Sequence, residues 1–97
     1  MKLRDAVDKV RSKNAGPFWL TIDIFCGDGE GYATAAGVPT QAFAAALGVE
    51  QQLIKRFDMP ELNVVKLSLP RPTVQGAAAD RDMHGASFAV LIAEMEI

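Results

Sequence analysis

Residues 18–25, Phe-Trp-Leu-Thr-Ile-Asp-Ile-Phe, alternate strictly, and this stretch constrains the fold more than any other. Leu20, Ile22 and Ile24 share one side, and Trp19, Thr21, Asp23 and Phe25 share the other, which is the two-residue period of a strand with one buried face. Its β-branched and aromatic content agrees with that reading. Pro17 disfavours helix at Gly16 and marks the start of a new element. Immediately before it runs Arg11-Ser12-Lys13-Asn14-Ala15-Gly16, with two cations, a hydroxyl, a carboxamide and a flexible glycine at the mouth of a core strand. Such a composition fits a turn that holds an anion or one that docks a partner.

The remaining elements are read from the same periodicities. Leu3, Val7 and Val10 have helical spacing, and the chain near Lys9-Val10-Arg11 is equally compatible with an extended segment. Cys26-Gly27-Asp28-Gly29-Glu30-Gly31 is glycine-rich but lacks the Lys-Ser/Thr ending of a phosphate loop, and Asp28 and Glu30 repel phosphate, so it reads as a strand-to-helix turn. A short helix over 32–36 ends at Gly37 in the left-handed conformation, and a second over 41–47 is capped by Thr40 and stopped by Gly48. A mixed strand over 51–58 has edge character. Residues 63–69 form a third strand with Val65, Leu67 and Leu69 inward and Lys66 and Ser68 outward, and Pro70-Arg71-Pro72 ends the sheet. Residues 73–82 read as a polar loop. The tail, 85–97, fits either a helix through Phe88, Leu91, Ile92 and Met95 or a final strand.

Together these make one domain over 1–97, of α+β class, with three to four strands in an antiparallel or mixed sheet and helices on one face. A chain of 97 residues has a thin core. Much of its 49% apolar content is alanine, which covers little surface, so a homo- or hetero-oligomer is expected. The net charge is −2, and the basic residues are scattered along the sequence with no polybasic run, which argues against nucleic acid as a partner. No apolar run reaches the roughly 20 residues of a membrane span. From the polar N-terminus a cytoplasmic location is expected, and the single cysteine excludes an internal disulfide or a cysteine-based metal cage. No cofactor is implied.

The candidate ligand-binding residues are Arg11, Ser12, Lys13, Asn14, Gly16, Arg71 and Arg81, drawn together if the 18–25 and 63–69 strands share a sheet. Arginine forks, ammonium groups and backbone N–H groups suit a carboxylate, a phosphate or a CoA-type acid. Taken singly, Arg71, Asp80, Arg81 and Asp82 read as solvated loop charges. His84, the one histidine, and Lys13 are the candidate acid/base groups, although no nucleophile–base pair or metal-ligand cluster accompanies them. Asp23 lies opposite the core side, which fits either a pair with Arg11 or Lys13 or simple solvent exposure on an open sheet face, and Cys26 reads as a small buried hydrophobe.

At residues 11–17, with Asp23-Ile24-Phe25 behind them, the chain resembles the small domain family of unknown function that accompanies the acyclic terpene utilisation (AtuA) family. The likeness extends to Lys2-Leu3-Arg4-Asp5, Leu69-Pro70-Arg71-Pro72, Asp80-Arg81-Asp82 with Gly85, and Glu94-Met95-Glu96-Ile97. The chain is also distantly similar to the C-terminal domain of longer AtuA proteins, where an Arg-Ser-Gly-Asp-Lys-Gly-like turn stands in place of residues 11–16. The resemblance implies a ferredoxin-like fold and one module that is either fused to a larger protein or encoded separately. The expected function is then a small accessory subunit that docks on a larger AtuA-type protein and helps complete a site for an acidic metabolite. A stand-alone lyase or hydratase on a small organic acid, and a purely structural oligomerisation module, are the alternatives.

Overall fold

The alternation at 18–25 becomes β2 (Trp19–Phe25), the central strand to which the rest of the sheet is added. In the computed structural model, which describes residues 1–71 and 88–97, β2 pairs antiparallel with β1 (Lys9–Asn14) on one side and with β4 (Val64–Pro70) on the other. The outer edge of β4 pairs antiparallel with β3 (Lys55–Met59), giving a four-stranded sheet of order β1-β2-β4-β3. The protein is therefore α+β with an antiparallel sheet. Along the chain, two hairpins are separated by helices, whereas a ferredoxin-like domain runs β-α-β-β-α-β. The expected strand content and layering are present, but the expected order of elements is not.

One side of the sheet holds the core. Leu20, Ile22 and Ile24 of β2 and Val65, Leu67 and Leu69 of β4 are fully buried. Over them lie Leu3 of α1 (Leu3–Ala6), Ala35 of α2 (Gly29–Ala36), Phe43, Ala44 and Leu47 of α3 (Thr40–Leu47), and Ile92 of α4 (Phe88–Ala93). Burying each of the large aliphatic side chains contributes about 1.5–3 kcal/mol. The four α-helices of the described residues thus pack on the same side.

Local chemistry fixes the helix ends. The Asp28 carboxylate accepts the Gly31 N–H at 2.7 Å, so α2 begins at Gly29, earlier than periodicity alone indicates. Gly37 does end α2, but with φ −74° rather than in the left-handed region, while Gly48 ends α3 with φ 71° as expected. Pro39 occupies the cap of α3, and Thr40, expected as the cap, instead turns its hydroxyl to accept from Arg56 at 3.2 Å. The third strand to form in sequence is shorter than its 51–58 reading because Gln51–Leu53 closes a 3-10 turn, with the Ile54 N–H donating to the Gln51 carbonyl.

Arg56 then locks β3 to the helical layer. Its guanidinium donates to the carbonyls of Ala36 and Val38 at 2.9 and 2.6 Å, and to the Asp58 carboxylate at 2.8 Å. The tail realises both of its readings in turn: α4 docks through Ile92, and Glu96 then forms a β-bridge to Lys2. Glu94 accepts from Lys2 at 2.6 Å and lies 3.1 Å from Arg4, drawing the two ends of the chain together.

Candidate functional site

The polar stretch at 11–14, expected as a turn, is the greater part of strand β1. The turn falls later: Ala15 N–H donates to the Trp19 carbonyl, and Gly16 adopts φ 79°, a left-handed conformation that a side chain would strain. Because strand side chains alternate, the predicted site residues separate onto opposite sides of the sheet.

Ser12 and Asn14 face the helices, opposite Ile22 and Leu20. The Ser12 hydroxyl accepts the Ala89 N–H at the start of α4 at 2.9 Å. Asn14 Oδ1 accepts from Arg71 Nη1, and the Arg71 N–H bonds to the Phe18 carbonyl. Arg71, read singly as a solvated loop charge, is instead buried, and the structure does bring it to the predicted patch. A buried guanidinium bonded to the Asn14 side chain acts as an internal strut, spanning the ends of β4 and β1. Arg81 and His84, along with Asp80 and Asp82, lie outside the described residues.

Arg11 and Lys13 point to the other side, away from the core. Register places Arg11 opposite Asp23, which is opposite Lys66 on β4, which is opposite Phe57 on β3. The next row is Lys13, Thr21, Ser68 and Lys55, and the row beyond Arg11 is Lys9, Phe25, Val64 and Met59. None of these residues belongs to the core cluster, and among the described residues no helix covers them. Trp19 and Phe57 are 39% and 48% exposed there. Two of the cations lie over aromatic rings, Lys9 over Phe25 at 5.3 Å and Lys55 over Trp19 at 5.5 Å from the ring centroid.

Charges that are scattered along the sequence are therefore gathered by the sheet. Among the described residues, its open side carries five of the nine Lys and Arg, namely Lys9, Arg11, Lys13, Lys55 and Lys66, but one of the ten Asp and Glu, Asp23. The other described residues, with four Lys and Arg against nine Asp and Glu, are correspondingly acidic. Lys9, Lys55, Lys66, Thr21 and Ser68 were not among the sequence candidates. Outward alternation marks Lys66 and Ser68, but only the register shows that they share rows with Arg11 and Lys13.

A model of the domain of unknown function family DUF4387 matches residues 3–96. The chain belongs to the DUF4387 family. No curated protein and no solved structure matches it. A cavity of about 420 Å³ between the α2–α3 junction and the C-terminal residues is lined mainly by apolar groups such as Val38, Pro39, Ala42 and Met95. A depression of about 360 Å³ lies along β1 at Val10, Arg11, Ser12 and Lys13, against Ala89 of α4.

Cys26 is buried, its Sγ directed at the Ile24 carbonyl, and burial pushes the thiol's pKa up, away from the thiolate needed of a nucleophile. Among the described residues, no three His, Cys, Asp or Glu are grouped to hold a metal ion, and no helix is long and apolar enough to cross a membrane. Among the described residues of the DUF4387 domain, the feature with the most chemical content is the cationic, aromatic side of the sheet.

Proposed function

We propose that this domain is a small accessory subunit that binds a larger partner protein through the open side of its sheet and contributes to a site for an acidic metabolite there. The observation that carries this reading is the segregation of charge: among the described residues, five cations and one acid lie on one side of the sheet, in a chain of net charge −2. Such a surface is complementary to an acidic protein surface, which it steers toward itself and holds in register. Exposed Trp19 and Phe57, with half-buried Met59, supply the apolar contact area that charges alone lack. The resemblance to the AtuA-associated domains makes an AtuA-type protein the partner to try, with a carboxylate or CoA-ester acid as the metabolite.

The test is co-expression with the AtuA-family protein, followed by size-exclusion chromatography at low and high salt. Co-elution at low salt that weakens as salt rises is expected. A chain that elutes alone at every ionic strength, or that forms only homo-oligomers, overturns the proposal.

A further inference from the structure

We infer that the row Lys13, Thr21, Ser68 and Lys55 on the open side of the sheet is an oxyanion site for the acid group of a small metabolite. Two observations converge on it. Register sets the four side chains directly beside one another across β1, β2, β4 and β3, so two hydroxyls lie between two ammonium groups. Directly opposed residues in antiparallel strands have Cβ atoms only about 4.5–5.5 Å apart. Independently, Thr21 is 8% exposed, and its Oγ1 is the buried side-chain oxygen or nitrogen that finds no hydrogen-bond partner among the described residues.

A buried hydroxyl without a partner is costly in the free protein. A carboxylate or phosphate oxygen arriving at the row gives that hydroxyl an acceptor, and Ser68 supplies a second donor. Lys13 and Lys55, both exposed, neutralise the charge from either end. Lys55 lies against the Trp19 ring, so one end of the row has an aromatic wall suited to the carbon part of the same ligand. Asp23, the acid nearest in the neighbouring row, stands between Arg11 and Lys66, which offset its repulsion.

This inference rests on the accessory-subunit reading for the source of the acid, but its test does not need the partner. The full chain, isotopically labelled, is titrated with succinate, with inorganic phosphate and with chloride at matched ionic strength, and amide and lysine-ammonium NMR shifts are followed. Saturable shifts at Lys13, Thr21, Ser68 and Lys55 are expected with succinate or phosphate and not with chloride. The tighter of the two identifies the acid group as carboxylate or phosphate. Thr21→Val, which keeps the side-chain shape, should weaken binding at least fivefold, and Ser68→Ala should do so as a second, independent variant.

The inference is overturned if shifts are absent or reproduced by chloride, or if the folded variants bind within twofold of the parent chain. Partner co-elution separates the two ideas. A Thr21→Val chain that still co-elutes but no longer binds the anion supports the site and leaves docking intact. Anion binding without co-elution overturns docking alone.

Discussion

Arg71 Nη1 donates to Asn14 Oδ1, tying the end of β4 to the end of β1 across the intervening β2. Through this bond, part of a sequence that looks like a binding patch becomes internal structure. Asn14→Ala should therefore destabilise the protein by about 1–3 kcal/mol, the cost of removing an acceptor from a buried donor. Urea denaturation measures it. Asn14→Asp should recover most of the loss at neutral pH, because a carboxylate beside the guanidinium has its pKa lowered. That recovered stability is present above the ordinary carboxylate range and disappears as pH falls through the lowered value.

Arg56 makes a comparable strut at the other edge. Its guanidinium holds two carbonyls at the end of α2, the Thr40 hydroxyl and the Asp58 carboxylate, and it stacks 5.3 Å from the Phe43 ring centroid. Arg56→Ala should cost about 2–4 kcal/mol, since hydrogen bonds to charged groups are the stronger kind. Arg56→Lys should restore less than half, because an ammonium cannot reproduce the planar fork. Thermal melting of the three chains gives the ranking.

Gly31 in the first turn of α2 is required by space. A Cβ there would lie 2.5 Å from the Cys26 carbonyl oxygen and 2.7 Å from that of Ala6, so the backbone itself has to move. Gly31→Ala should lose about 1–3 kcal/mol by overpacking, more than alanine's gain in helix propensity. In a domain of this size, each kcal/mol lowers Tm by about 4–8 °C.

Joining the chain ends makes stability sensitive to acid. Hydrogen bonding from Lys2, reinforced by Arg4, holds the Glu94 carboxyl below its ordinary pKa. A group depressed on folding contributes stability that is complete above its unfolded value and is lost as pH falls through the folded one. Stability should therefore decline from the ordinary glutamate range downward. Glu94→Gln should flatten that part of a stability–pH profile measured by urea denaturation.

Strand alternation made much of the sheet legible. Leu20, Ile22 and Ile24, and Val65, Leu67 and Leu69, are buried as their spacing indicates, because a two-residue period survives any choice of partner strand. Residues 11–14 were harder, since Arg, Ser, Lys and Asn have weak strand propensity and gain their extended form from pairing with β2. Pairing is non-local, so the separation of Arg11 and Lys13 from Ser12 and Asn14 had no local signature. For the same reason, cations from β1, β3 and β4 looked scattered until the register brought them together. The connectivity, two hairpins around α2 and α3, is likewise a property of which strands meet rather than of any one segment.

Reversing charge on the open side of the sheet is the most direct test of the central claim. Arg11→Glu with Lys66→Glu changes the character of that surface while leaving the buried side of β1 and β4 untouched. Circular dichroism establishes that the doubly substituted chain retains its fold, and size-exclusion chromatography with the co-expressed AtuA-family protein reads the outcome. The expected result is co-elution of the parent chain at low salt and its loss on charge reversal. Equal co-elution of both chains, or of neither, contradicts the account.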